Sequence, residues 1–304
     1  MSGKMRVLIA YDGSECADAA LADLQRAGMP AEGVAHVVSV AEQWLPTPRS
    51  FGMVETHFTE ESPNVFERAE AQVAGAAGQL RAAFPGWEVE AETLFGSPAR
   101  NILEKADAWR PDLIVVGSHG RTSLGRLFLG SVSQKVLTEA ACSVRVARAR
   151  AEAPKGPVRI LIGVDGSHGS DLAVAEVARR AWPAGSQAMV FTTDFVTPTM
   201  TSAHMVGPLI QWINEERERM QQAVARAKEA LTRAGLSFHS EMKPGDPKEL
   251  LCRLADEWRA DCVFVGAKSQ SRVDRFLLGS VSASVAAHAG CSVEVVRESD
   301  AHSG

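Results

Sequence analysis

The chain has 304 residues, of which 45% are hydrophobic and 23% charged, and its formal net charge is −5. That length fits about two soluble globular domains, and the mild acidity, with no basic cluster and no basic–aromatic interleaving, excludes a nucleic-acid grip. No stretch reaches the roughly 20 apolar residues of a membrane span. Cys16, Cys142, Cys252, Cys262 and Cys291 are odd in number and form no C-x-x-C pair, which argues for a reducing compartment and against a disulfide framework or structural zinc.

In chain order, the apolar run Arg6–Tyr11 reads as a strand and meets Asp12-Gly13-Ser14, a turn and helix-cap signal. The run after Lys4 is too short for a signal peptide, so a cytoplasmic protein is expected. Ala17 to Ala27 reads as a helix closed by Gly28 and Pro30, and Val34 to Val40 as a second strand. A long irregular segment, Ala41–Ser62, carries Trp44, Phe51, Met53 and Phe58; it reads as a lid, a disordered loop or a partner surface. Phe66 to Ala83 is helical, Trp87 to Leu94 alternates as a third strand, and Ser97-Pro98 opens a helix to Trp109 with Ser97 as its cap. Asp112–Val116 is short and apolar enough to be a buried parallel strand. A loop with Gly117, Gly120, Gly125 and Gly130 follows, then a helix from Val132 to Ala140 and a strand from Ser143 to Ala147.

The chain then repeats itself. Asp112-Leu113-Ile114-Val115-Val116-Gly117 matches Asp261-Cys262-Val263-Phe264-Val265-Gly266, and Arg126–Ser133 matches Arg275–Ser282, both at an offset of 149 residues (112 to 261). Asp12-Gly13-Ser14 matches Asp165-Gly166-Ser167 at an offset of 153 (12 to 165). Two copies of one domain are expected, at 1–150 and 157–304. The strands of the second copy read as Val158–Val164, Ala188–Thr193, Ser237–Met242, Asp261–Val265 and Ser292–Val296, with a long amphipathic helix from about Leu209 to Ala234.

Alternating strands and helices predict an α/β fold: two repeated doubly wound domains, each a five-stranded parallel sheet in the order 3-2-1-4-5 with helices on both faces. Strands 1 and 4 are then neighbours whose connections leave in opposite directions, and ligands bind beyond the carboxyl ends at such a switch point. Asp12 ends strand 1 and Gly117 ends strand 4, so the two converge on one crevice. Glycines let backbone amides approach a ligand, and a helix N-terminus adds unpaired N–H groups and partial positive charge. Phosphate is the usual anion for such a site, and Arg121 and Arg126 add charge there. Asp12 also reads as a cap of the first helix, a role compatible with binding. His119 reads as exposed or as a phosphate contact, and Arg126 and Arg275 as phosphate screens or surface pairs.

The pattern Gly-x2-Gly-x9-Gly-Ser, here Gly117, Gly120, Gly130 and Ser131, resembles the nucleotide motif of the universal stress protein family, and the strand ending in Asp12 fits it. The resemblance covers both halves. It implies an ATP site, with magnesium as an accompanying ion for which no protein cage is evident. It also implies that Asp12 bonds the nucleoside end and that Val40 contacts adenine through its backbone. Gly117, Gly120, Gly130, Ser131 and Val132 would surround ribose and phosphates, with Arg121 beside them. In the second copy Asp165, Gly266, Gly279, Ser280 and Val281 are retained, Thr193 stands for Val40, and Ser269 replaces the middle glycine, with Lys268 before it. A weaker or altered second site is expected.

No catalytic set is evident: the Walker lysine, a metal-hydrolase cluster and a Gly-x-Ser-x-Gly elbow are all missing from the sequence. The expected function is an ATP-binding stress-response regulator acting through conformation or an unidentified protein partner. The alternatives are a slow ATPase or nucleotidyl-transfer enzyme, and an interaction module that has lost nucleotide. The valine-rich last strands, Ser143–Val146 and Ser292–Val296, read as exposed edges through which the halves pair as an intramolecular pseudo-dimer, with a homodimer as a further option.

Overall fold

The computed structural model describes residues 4–42, 62–119, 129–148, 156–194, 206–267 and 278–298. Packing divides the chain into two compact units, one principally Met1–Gln25 with Pro30–Ala151, the other principally Glu152–Glu298.

The first unit runs β1 (Met5–Ala10), α1 (Glu15–Leu24), β2 (Gly33–Ala41), α2 (Ser62–Ala83), β3 (Trp87–Phe95), α3 (Pro98–Trp109), β4 (Leu113–Gly117), α4 (Ser131–Glu139) and β5 (Ser143–Ala147). Its strands lie in the order β3-β2-β1-β4-β5, and every pair is parallel. From β1 the chain moves outward one way through α1 and α2, which touch each other, and the other way through α3 and α4, which also touch. Right-handed crossovers therefore put the two helix pairs on opposite faces of the sheet. The central strands show the consequence: Val7, Leu8, Ile9 and Leu113–Val115 are wholly buried, whereas in outer β3 only Trp87 is buried and the rest are half-buried or exposed.

The second unit repeats the plan with β6 (Arg159–Gly163), α5 (His168–Arg179), β7 (Gln187–Asp194), α6 (Val206–Arg233), β8 (Ser237–Pro244), α7 (Pro247–Glu257), β9 (Cys262–Gly266), α8 (Ser280–His288) and β10 (Ser292–Val296). Its all-parallel order is β8-β7-β6-β9-β10. Ile160, Ile162, Val190, Ala227, Leu231 and Phe264 form its core. Among the described residues no helix is long and apolar enough to cross a membrane.

Helix boundaries depart from the sequence pattern in instructive ways. The first helix starts at Glu15, two residues before its apolar face, because Ser14 caps it: Ser14 Oγ accepts from Ala17 N–H at 3.2 Å. Capping thus falls to Ser14 and not to Asp12. The helix also stops at Leu24, with Gln25 as its C-cap, short of Ala27. Ser97 occupies the cap position of α3 but makes no side-chain capping bond. Asp246 does cap α7, accepting from Lys248 N–H at 2.9 Å. Most of the Ala41–Ser62 segment lies outside the described residues, as do Gly120, Arg121, Arg126, Lys268, Ser269 and Arg275.

Each unit carries a buried charge at the centre of its last strand. Arg145 on β5, 1% exposed, donates through Nε to Asp23 Oδ2 of α1 at 2.6 Å. At the matching place on β10 stands Glu294, wholly buried, which accepts from Arg180 Nη2 at 2.5 Å. Arg180, the C-cap residue of α5, also donates through Nε to Glu176 Oε1 at 2.8 Å. All five residues of each of these strands are buried.

Candidate functional site

The crevice is built by register. Ala10 pairs with Val38, so Asp12 and Val40 lie level two residues further on. Ile9 pairs with Val115, which brings Ser118 level with Asp12 on the other side. Asp12, Val40 and the Gly117–Ser118 step therefore stand side by side at the carboxyl ends of β1, β2 and β4.

Asp12 shapes the turn after β1. Its Oδ1 accepts from Ser14 N–H at 3.0 Å, and Gly13 between them has φ +74°, a conformation that suits glycine. Tyr11 just before it is buried, with its hydroxyl donating to Asp18 Oδ1 at 2.5 Å. Burial first, then that hydrogen bond and the nearby carboxylates, push the phenol up to about 12. The neutral phenol is the favoured form in the fold, so its contribution to stability is complete below pH 10 and is lost as pH rises towards 12. Tyr11 is the single tyrosine, so the near-ultraviolet tyrosinate signal of the native protein should titrate near 12. Tyr11→Phe should abolish that signal and flatten the alkaline loss of stability; a native midpoint near 10 would contradict the geometry.

Gly117 lacks a side chain for a different reason. A methyl built on its Cα would lie 2.9 Å from the carbonyl oxygen of Cys16 and 3.0 Å from its carbon. The first turn of α1 is laid directly on this glycine. Its own carbonyl accepts from Ser133 Oγ at 2.6 Å, which ties the end of β4 to the first turn of α4. Gly130 N–H donates to Ser118 O at 2.8 Å and seats the start of that helix. Ser118 is buried; its N–H donates to Ala147 O at 2.9 Å, and its hydroxyl lies 3.2 Å from His119 Nδ1. Gly130 is the N-cap of α4 and gives no side-chain cap, in contrast to Ser14 on α1. The first-turn amides of Ser131 and Val132 thus begin the helix with no capping side chain competing for them, and Ser131 is exposed.

The second unit has the same frame. Asp165 Oδ1 accepts from Ser167 N–H at 3.0 Å and from its hydroxyl at 2.5 Å, and Ser167 caps α5. Gly163 pairs with Phe191, so Thr193 lies level with Asp165. Gly266 O accepts from Ser282 Oγ at 2.7 Å, and Gly279 is the uncapped start of α8, followed by Ser280 and Val281. The two units differ above the first turn, where Gln72 of α2 lies against Gly13 and Met220 of α6 lies against Gly166.

Sequence reasoning brings Asp12, Val40, Gly117, Gly130, Ser131 and Val132 to one end of the sheet, together with their counterparts. It misses Ser133 and Ser282, although both lie inside the repeated Gly-Ser-Val-Ser run that could have flagged them. It also misses Gln72, because helical periodicity gives a face but not the depth at which the helix crosses a turn.

Comparison with known proteins follows the same division. The model of the universal stress protein family matches residues 4–148 and again 158–297. A universal stress protein of Thermus aquaticus is 39% identical over 145 residues, covering 47% of this chain and 97% of that protein. One from Mycolicibacterium smegmatis is 27% identical over 303 residues and covers 96% of both chains. In structure, the chain is similar to a universal stress protein of Archaeoglobus fulgidus, with a TM-score of 0.64, 19% identity, and coverage of 98% of this chain and 97% of the other.

Proposed function

Because the chain belongs to the universal stress protein family, in two tandem copies, we propose that the crevice of its first unit binds ATP and that the protein acts as a stress-response regulator through nucleotide-dependent contacts with a partner. The observation that carries this reading is the alignment of Asp12, Val40 and the Gly117–Ser118 step with a glycine-started helix. Asp12, an acceptor, takes a hydroxyl of the nucleoside end. Val40 offers main-chain groups to the base. The amides that open α4 at Ser131 and Val132 receive phosphate, helped by the partial positive charge of the helix start. The chain's residues bind and orient; none is assigned a chemical step.

Magnesium fits this scheme only through the ligand. The described residues contain no cluster of three or more His, Cys, Asp or Glu side chains able to hold a metal. The ion would be held by phosphate oxygens and water, its usual habit beside nucleotides. The second unit, with Thr193 in place of Val40 and Ser269 in its loop, is the weaker site.

The test is nucleotide analysis of the purified protein joined to a melting experiment. Saturation at 100 times the dissociation constant should stabilise the binding unit by about 2.7 kcal/mol. Asp12→Ala should remove a charge-assisted hydrogen bond and weaken ATP binding by about 1.5–3 kcal/mol. Protein free of nucleotide whose melting does not respond to ATP would overturn the reading.

A further inference from the structure

The side chain that lies on the Asp12–Gly13 turn comes from α2. A methyl built on Gly13 would lie 2.3 Å from Gln72 Nε2 and 2.6 Å from Gln72 Cδ, so the primary amide rests on the backbone one residue from Asp12. Its position on the helix is out of pattern. Ala69, Val73, Ala76, Ala77 and Leu80 form the buried stripe of α2. Gln72, three after Ala69 and four before Ala76, shares that packing face. Gln72 itself is half-buried at the margin of that stripe.

Axial depth explains the placement. As the crossover between parallel strands β2 and β3, α2 starts at their carboxyl ends and runs back along the sheet. Gln72 crosses the turn ten residues after Ser62, so the preceding helix stands about 15 Å beyond that level at 1.5 Å per residue. The start of α2 therefore lies on the side of the sheet where β1, β2 and β4 end.

The second unit holds a different group at the same spot. There the nearest atom to a methyl on Gly166 is Met220 Cε, at 2.8 Å, and Met220 is buried with its sulfur accepting from Thr192 Oγ1 at 3.3 Å. The two turns match in sequence, in the sign of φ and in their aspartate bonds. What lies over them is an amide in one case and a thioether in the other.

We propose that Gln72 reads the sugar of the bound nucleotide: its amide donates to a ribose hydroxyl oxygen while Asp12 accepts from a ribose hydroxyl. This gives the first unit a preference for ribonucleotides that Met220 denies the second. An ionised carboxylate only accepts, whereas an amide donates, so the pair satisfies both halves of a hydroxyl's hydrogen-bonding capacity. The inference rests on the nucleotide reading above.

Calorimetric titration of the full chain with ATP, 2′-deoxy-ATP and 3′-deoxy-ATP tests it, at the site that Asp12→Ala removes. The unsubstituted protein should prefer ATP to at least one deoxy analogue, and about 3–10-fold of that preference, the worth of one neutral hydrogen bond, should come from Gln72. Gln72→Met, which installs the side chain of the other unit, should lose that factor for ATP and bind the deoxy analogue as before. Gln72→Leu lacks both donor and acceptor, adds no charge beside Asp12, and is read the same way should the first variant fold poorly. ATP binding with an unchanged ribose-to-deoxyribose ratio in these variants would remove the role of Gln72 alone. No ATP binding by the unsubstituted protein would remove the nucleotide reading, and this inference with it.

Discussion

Gly266→Ala should destabilise the second unit by about 3 kcal/mol, among the larger costs of adding one methyl group to a packed interior. The methyl would lie 2.2 Å from the carbonyl carbon of Gly169, 2.3 Å from its oxygen and 2.7 Å from Ser170 N. All three are backbone atoms of the first turn of α5, so no rotamer change relieves the contact. Gly169 meets β9 as closely from the other side, since a methyl on it would lie 2.4 Å from Ala267 O. The first unit is looser here, with Cys16 O at 2.9 Å from a methyl on Gly117. Gly117→Ala should therefore cost less, about 1–2 kcal/mol. Urea denaturation followed by far-ultraviolet circular dichroism reads both. A Gly266→Ala protein with an unshifted midpoint would show that α5 does not sit against the strand end.

Arg180→Met should cost a comparable or larger amount, about 3–5 kcal/mol, because it withdraws the guanidinium shared by two buried carboxylates. Glu294 is wholly buried and Glu176 nearly so. Burial alone would raise the Glu176 carboxyl, but the charges and hydrogen bonds of Arg180 and Arg179 outweigh it and hold the group below its ordinary value. A carboxylate lowered in the fold adds stability at neutral pH that is lost as pH falls through and below the ordinary value of 4.5. The substitution should therefore lower the denaturation midpoint at pH 7 and shrink the further loss on acidification. Replacing Arg180, Glu176 and Glu294 together by apolar residues of like size should recover most of the loss, since such triads offset much of their own desolvation. If Arg180→Met behaved like a surface substitution, the carboxylates would not depend on it.

Much of this architecture is legible from the residues alone. Leu113–Val116 and Cys262–Val265 are short apolar runs followed by glycine, and both form buried strands. The paired motifs announce two copies, and the family match follows the same halves. Asp12 and Gly117, 105 positions apart (12 to 117), meet because parallel alternation places their strands side by side. What sequence does not carry is distance across the fold. The reason for Gly117 is the carbonyl of Cys16, a residue with no motif of its own. Arg145 sits in a valine-rich run with no motif to mark its partner, and Asp23 on α1 receives it in the interior. Ser14 rather than Asp12 caps α1, since both residues suit the cap and only the backbone angles decide.

The opposite signs at Arg145 and Glu294 also bear on how the repeat can change over time. A crossover that exchanged the last strands would set a glutamate at 145 facing Asp23, and position 27, which corresponds to Arg180 at the 153-residue offset (27 to 180), is an alanine. The reciprocal product would bring two guanidinium groups together at Arg180 with Glu176 as their shared counter-ion. Both hybrids would bury like charges and should be less stable than either unit as it stands.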